Sequence, residues 1–185
     1  MMHHLRKSLI LTAIGLTLSS CGRSPEAVIP PSAEPMSIES SAFEPEGTIP
    51  AEFTCNGDDQ SPPLTWNTPP SGTQSLVLIM DDPDAPFNTF VHWVVYNIPP
   101  TIESLAAGIV DEASLSVGGV QGQNGFKNIG YGGPCPPSGT HRYFFKLYAL
   151  DTQLELSAGA SKAEVIKAMD GHILGAGELM GRYGK

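Results

Sequence analysis

Two apolar runs joined by an acidic loop constrain the fold of this chain more than any other stretch. Residues 76–80 are continuously apolar, and residues 90–98 are rich in valine and aromatic side chains. Both runs have the length and the residue types of strands rather than helices. The sequence therefore predicts two buried strands, and the two prolines within residues 81–86 predict that their connection is rigid.

The connecting loop and the histidine that follows it are a first candidate site. The loop carries the carboxylates of Asp81, Asp82 and Asp84, which repel one another unless a cation, a metal or hydrogen-bond donors meet them. His92 then places an imidazole on a strand that is otherwise suited to burial. Such a histidine is about as often a core residue with one hydrogen bond as a site residue, so its interpretation depends on other polar groups nearby.

A second stretch, residues 130–148, supplies those groups. It is a loop rich in glycine and proline that leads directly into a strand. Its glycines permit close approach of the backbone to a ligand, and its prolines fix the loop. His141 and Tyr143 are two residues apart and project from the same face of the strand, whereas Arg142 faces the other way. Together the two stretches offer a carboxylate, two imidazoles and a phenol.

The motifs in these stretches resemble those of the phosphatidylethanolamine-binding proteins, also called Raf kinase inhibitor-like proteins. The resemblance rests on DPDAP at residues 82–86, VHW at 91–93, GGPCPPSGTHRYFFKLYAL at 132–150 and SPPLTW at 61–66. It covers most of the chain from about residue 38 onward and is closest to the bacterial branch of the family.

The pattern of strands and turns predicts the fold class independently. Many short strands, frequent turns, one helix and no repeated βαβ pattern predict a mostly β fold, specifically an antiparallel β-sandwich. The helix is expected after Ser161, which forms a capping box with Glu164, and Gly171 is expected to end it. The resemblance implies the same fold, with a central sheet packed on a smaller one and a few short peripheral helices.

The N-terminal residues have the features of a lipoprotein signal peptide. Residues 1–7 carry Arg6 and Lys7, residues 8–18 form an apolar run too short to span a bilayer, and small residues precede Cys21. The tetrapeptide Leu-Ser-Ser-Cys resembles a bacterial lipobox. An ordinary secretory peptide or an N-terminal helix is the alternative.

These features divide the chain into three parts. Residues 1–20 are predicted to be a removable signal peptide, and residues 21–36 a Pro- and Ser-rich tether that reaches roughly 40 Å from an acylated Cys21. Residues 37–185 are predicted to form one domain. The protein is expected to be exported and lipid-anchored to a bacterial membrane, facing the periplasm, and Gly22 after the cysteine favours the outer membrane.

The charge of the chain argues against some partners. The net charge is −9, and loss of Arg6 and Lys7 with the signal peptide makes it −11. Such a surface repels nucleic acid and anionic lipid headgroups at long range, so we expect no nucleic-acid partner. A pocket for a small anion remains compatible with this charge, because local donors govern such a pocket.

The resemblance implies an anion-binding pocket at one end of the central sheet. Family positions that line it correspond to Asp82, Pro86, His92, Cys135, His141 and Tyr143. Asp82 is expected to orient one imidazole. The histidines, the tyrosine hydroxyl and backbone N–H groups near Cys135 are expected to donate to phosphate, phosphoethanolamine or a carboxylate. We expect no catalytic residue, cofactor or metal.

Two other function classes stay open at this point. A metal-dependent hydrolase would use Asp82, His92 and His141, whose side chains suit zinc or manganese, although neither a close histidine pair nor a nucleophile accompanies them. An interaction role follows from the resemblance, because family members inhibit kinases and serine-type proteases, but no feature specifies a protein partner. The lack of a GxSxG motif disfavours a Ser-His-Asp hydrolase. As a binding protein, the chain is expected to have no enzyme activity.

Two cysteines remain once Cys21 is acylated. An even pair in an exported chain is more often bonded than free, so Cys55 and Cys135 are predicted to form a disulfide that ties an early segment to the pocket loop. Two buried free thiols are the alternative, because the same loop motif also resembles intracellular proteins, whose thiols stay reduced.

Overall fold

The computed structural model describes residues 25–184, which form two β-sheets and one α-helix. A 3-10 turn, Ala51–Phe53, lies between the second and third strands. In chain order the elements are β1 Glu34–Pro35, β2 Ile38–Glu39, β3 Leu64–Trp66, β4 Ser75–Asp82, β5 Phe90–Ile98, β6 Ser104–Leu105, β7 Val120–Gln121, β8 Thr140–Leu150, α1 Lys162–Met169 and β9 Ile173–Gly184.

The strands pair in a way that confirms the predicted mostly β fold. The larger sheet has the order β1-β9-β8-β4-β5-β7, and the smaller sheet has the order β2-β3-β6. All pairs are antiparallel except β1 with β9, so the larger sheet is mixed. Where a few short helices were expected, the described residues contain one α-helix and one 3-10 turn.

The strand β4 lies at the centre of the larger sheet, between β5 and β8. Every residue of β4 is buried. A strand covered on both faces needs apolar side chains at consecutive positions, which explains the unbroken apolar run in the sequence. The two predicted strands thus form the adjacent pair β4 and β5. β4 begins one residue before the predicted residues 76–80 and ends two residues after them, and β5 has the predicted bounds, residues 90–98.

One face of β4 packs into the core between the two sheets. Leu76, Leu78 and Met80 belong to this core, which also contains Leu64 and Trp66 of β3. Side chains at alternate positions of a strand point to the same face, so these three residues form one apolar row. This core fixes the end of β4 at which the acidic loop begins.

The other face of β4 packs beneath α1. Val77 and Ile79 share a second core with Val165 and Met169 of the helix. The helix begins as predicted at Ser161, whose hydroxyl accepts from the Glu164 backbone N–H at 3.3 Å in a complete capping box. The larger sheet is therefore covered on both faces.

The helix ends where the sequence indicated a stop. The C-cap is Asp170, and Gly171 follows it with φ +79°. Glycine adopts this left-handed conformation without the penalty that a Cβ imposes, so it terminates the helix at the position after the cap.

Residues 25–36, the described part of the predicted tether, lie against the domain rather than extending away from it. The predicted signal peptide, residues 1–20, and Cys21 lie outside the described residues. Residues 25–36 were expected to extend away from the domain, but β1 pairs with β9, and Glu26 forms ion pairs with Lys146 and Lys162. In the described part of the chain, no helix is long and apolar enough to cross a membrane.

Candidate anion-binding site

A cavity of about 120 Å³ opens where β4, β5 and the start of β8 meet. Pockets for drug-sized ligands measure roughly 300–1,000 Å³, so this cavity is too small to enclose a whole lipid. Five of the six predicted ligand-binding residues line it. The lining residues are Asp82, Ala85, Pro86, Phe90, His92, Phe126, Cys135, Pro136, Pro137 and His141.

The carboxylate of Asp82 orients His141. Asp82 Oδ2 accepts a hydrogen bond from His141 Nδ1 at 2.7 Å, and Asp82 Oδ1 accepts from the backbone N–H of Asp84 at 2.8 Å. A carboxylate without a proton only accepts, so His141 Nδ1 carries the hydrogen. The remaining ring nitrogen, Nε2, is the one available to a ligand, and it donates only when the imidazole is protonated.

The second histidine is held in the same way by a backbone carbonyl. His92 Nδ1 lies 2.6 Å from the carbonyl oxygen of Gly132, and the Gly132 N–H donates to the carbonyl oxygen of His92 at 3.0 Å. A carbonyl only accepts, so Nδ1 again carries the hydrogen and Nε2 is left for a ligand. Burial lowers the pKa of His92 below its ordinary value, although the hydrogen bond to Gly132 and the charge of Asp82 oppose this shift.

Tyr143 lies beside both imidazoles but does not line the cavity. Its ring centroid is 5.2 Å from that of His92 and 6.5 Å from that of His141. The side chain is fully buried, and its hydroxyl has no hydrogen-bond partner among the described residues. Burial, followed by the charge of Asp82, raises the pKa of this hydroxyl, so Tyr143 is a neutral donor. An unpaired buried hydroxyl is costly, and few occur in folded proteins.

The acidic loop is fastened to β8 by a second carboxylate. Asp84 accepts from the Arg142 guanidinium at 2.7 and 2.9 Å and from the Arg142 backbone N–H at 3.0 Å. The side-chain hydrogen bond from Arg142 lowers the pKa of Asp84 to about 2. Asp82 and Asp84 therefore each accept hydrogen bonds from β8, the strand that carries His141. These donors offset the repulsion between the neighbouring carboxylates.

The other wall of the cavity is joined to the segment after the 3-10 turn. Cys55 and Cys135 are bonded, with their Cα atoms 5.4 Å apart, and the Cys55 N–H donates to the carbonyl oxygen of Pro134 at 3.2 Å. Asp59 Oδ1 accepts from the Gly133 N–H at 2.8 Å. Cys135 thus lines the cavity through a loop that is fixed at three points.

The proposed hydrolase centre lacks a metal-binding arrangement. In residues 25–184, no group of three or more His, Cys, Asp or Glu side chains is placed to hold a metal ion. Asp82, His92 and His141 all line one cavity, but the two Asp82 oxygens accept from the Asp84 N–H and from His141 Nδ1. The hydrolase alternative is therefore not supported by this geometry.

Sequence reasoning missed most of the apolar wall. Phe90 and Phe126 face His92 with ring centroids 5.0 and 5.9 Å away, and Pro136 and Pro137 complete the wall. Phe90 begins a predicted strand, and Pro136 and Pro137 lie in the motif at residues 132–150. The sequence could therefore have predicted that these three residues line the cavity. Phe126 lies in a polar Gly- and Asn-rich loop without a periodic pattern, and only the tertiary fold brings it to the cavity.

The comparison with protein families identifies one match over most of the chain. A family model described as phosphatidylethanolamine-binding protein matches residues 39–184. Among curated proteins, a UPF0098 protein of Methanothermobacter thermautotrophicus is 51% identical over 148 residues, which cover 80% of this chain and 98% of the relative. A UPF0098 protein of Chlamydia trachomatis is 42% identical over 155 residues, which cover 81% and 99% of the two chains.

Solved structures show the same relationship at the level of the fold. A putative phosphatidylethanolamine-binding protein homologue from Chlamydia trachomatis is 42% identical, with a TM-score of 0.75, and the match covers 83% of this chain and 99% of that one. Escherichia coli YbcL, described as a member of the mammalian family, is 31% identical with a TM-score of 0.76, covering 81% and 98%.

Proposed function

Because the chain belongs to the phosphatidylethanolamine-binding protein family, we propose that it binds a small anion between His92 and His141. The ligand class is phosphate, a phosphorylated headgroup or a carboxylate. The observation that carries the proposal is the pair of imidazoles on one small cavity, each with Nδ1 committed to a fixed acceptor. Protonation of either ring places a positive charge and a new N–H donor at Nε2, which suits an anion and not a neutral ligand.

The surroundings support the same ligand class. The apolar wall of Phe90 and Phe126 limits water around the site and so strengthens electrostatic attraction inside it. Tyr143 packs beside both imidazoles and remains uncharged, so it adds no negative charge that would repel an anion. The cavity is large enough only for the headgroup of a lipid, so the acyl chains of a lipid ester would remain outside it.

Substitution of either histidine tests this proposal. We expect His92→Ala and His141→Ala each to abolish the chemical-shift response of the domain to millimolar inorganic phosphate in an NMR titration, because each variant removes one Nε2 donor. His172→Ala is the matched control: its Nδ1 also lies 2.7 Å from an aspartate, Asp151, but the pair is exposed and outside the cavity. An unchanged response in both pocket variants places the anion elsewhere.

The same titration reports the protonation state. Burial lowers the pKa of His92, so the unliganded imidazole is neutral at pH 7, and an anion must bind together with a proton. Affinity should therefore rise as pH falls toward the lowered pKa of His92, by up to about tenfold per pH unit for each proton taken up, and should level off below that pKa. Dimethyl phosphate, a monoanion throughout, is the suitable probe. An affinity independent of pH between 5 and 8 would exclude this mechanism.

We further propose that Cys21 carries lipid and anchors the protein to the bacterial membrane, facing the periplasm. The charged start, the short apolar run and the Leu-Ser-Ser-Cys boundary support this. We expect radiolabelled palmitate to be incorporated by the wild-type chain and not by Cys21→Ala, which should fractionate away from membranes. Equal labelling of the two chains argues against lipidation at this cysteine.

A further inference from the structure

A cluster of buried charges lies on the sheet face opposite the candidate pocket. Asp81 and Asp82 are neighbours on β4 and point to opposite faces. Asp82 meets the pocket, whereas Asp81 Oδ2 accepts from Lys162 Nζ of α1 at 2.6 Å. Lys146 Nζ of β8 lies 3.2 Å from the same carboxylate. Lys162 is only 4% exposed and Asp81 is fully buried, so an excess charge here would be costly.

A further carboxylate bridges the two lysines. Glu26 Oε1 accepts from Lys162 Nζ at 2.6 Å, and Glu26 Oε2 accepts from Lys146 Nζ at 2.8 Å. Glu178, opposite Lys146 on β9, is an additional acidic neighbour of the cluster, and burial raises its pKa. Burial opposes ionisation of Glu26, but the hydrogen bonds from Lys146 and Lys162 outweigh it and lower its pKa. The carboxylate thus bridges two ammonium groups as a bound ligand would.

The segment around Glu26 is in contact with the domain at several other places. Ala27 and Ala33 pack against the apolar core beneath α1. The Met36 N–H donates to the carbonyl oxygen of Ala176 at 2.8 Å, and a Cβ at Gly177 would overlap the Met36 carbonyl oxygen. Glycine at position 177 therefore permits the close approach of this segment to β9.

The contacts combine residues inside and outside the family domain. Asp81, Lys146 and Lys162 lie within the region that the family model matches, residues 39–184, whereas Glu26 precedes it. We infer that Asp81, Lys146 and Lys162 form a carboxylate-binding site and that its ligand is Glu26 of an N-terminal strap, residues 25–36. The strap holds the start of the domain against the α1 face.

The docked strap shortens the distance between the domain and Cys21. Cys21 lies five residues before Glu26, a span of at most roughly 18 Å, against roughly 40 Å for a free tether of residues 21–36. Where Cys21 carries lipid, the α1 face is therefore held close to the membrane. This consequence rests on the proposed lipidation, whereas the docking of the strap does not.

Hydrogen exchange tests the docking in the chain that retains its N-terminal segment. We expect Glu26→Gln to accelerate exchange of the two strap amides that donate hydrogen bonds, Ala33 to Pro30 and Met36 to Ala176, by roughly tenfold to a hundredfold, the equivalent of losing a hydrogen bond to a charged group. The matched control is Glu46→Gln, which removes a surface partner of Arg182 at 3.1 Å and should leave these amides unchanged. Equal exchange rates in wild type and Glu26→Gln would contradict the proposal that Glu26 docks the strap.

A second measurement tests the ligand class of the site. In Glu26→Ala, acetate should shift the side-chain NMR signals of Lys146 and Lys162 with a saturating dose response, whereas in wild type Glu26 should block this response. An identical response in both chains would overturn the assignment of Glu26 as the ligand. Strap protection that rises with protein concentration would also overturn it, because the strap of a second copy would then occupy the site.

Discussion

Replacing Cys135 with serine is expected to lower the free energy of unfolding by about 4 kcal/mol and to weaken phosphate binding at the same time. The bond to Cys55 spans a sequence separation of 80 residues. A cross-link across a loop of that length removes about this much conformational free energy from the unfolded chain in the chain-entropy model. Binding weakens because Cys135 lines the cavity and its loop also presents Gly132, the acceptor for His92.

The measurements for this variant are urea denaturation and phosphate titration, compared with Ser138→Ala in the same loop. Ser138 is exposed, so that control should change neither quantity. Mass spectrometry of the unreduced, alkylated wild type gives an independent check. Labelling of both cysteines in the folded protein would show that they are free, and the stability loss should then be absent.

Replacing Asp81 with alanine is expected to destabilise the domain by about 3 kcal/mol or more, because it leaves Lys146 and Lys162 with one carboxylate between them. Removing one partner of a buried charged group is far more damaging than removing an exposed one, since the remaining charge stays desolvated. Asp81 is 0% exposed and Lys162 is 4% exposed. The loss should appear as a lower urea midpoint with an unchanged slope.

The matched control is Asp84→Ala, three residues along the same acidic motif. Its partner Arg142 is a surface residue, and exposed ion pairs contribute little to stability. We expect this variant to lose about 1 kcal/mol, well below the loss expected for Asp81→Ala. If Asp84→Ala cost as much as Asp81→Ala, burial would not be the origin of the effect.

The contrast between these two aspartates also shows what the sequence could predict. The apolar run of β4 predicts a strand covered on both faces, and strict alternation then separates Asp81 from Asp82. The partner of Asp82 was foreseeable, because the GTHRY motif supplies a histidine. The partners of Asp81 were not, because Lys162 opens a helix with an ordinary capping box and Glu26 lies in a segment with no pattern.

Short elements account for the other differences from the sequence prediction. β1 consists of Glu34–Pro35, and two residues are too few to show a strand pattern in the sequence. Its parallel pairing with β9 is therefore determined by tertiary contacts. Between β5 and β8 the chain has no strong apolar pattern, and the strands of that stretch are only β6 and β7, each of two residues. Long, strongly patterned strands were predictable, and contacts between distant short segments were not.

The most direct test of the proposed function is a pair of crystal structures grown with and without phosphate. The proposal predicts density for a tetrahedral anion in the cavity between His92 and His141, with anion oxygens about 2.6–3.2 Å from Nε2 of both rings. It also predicts that the density disappears in crystals of His141→Ala. A cavity that holds only water at saturating phosphate, with the anion bound elsewhere on the domain, would contradict it.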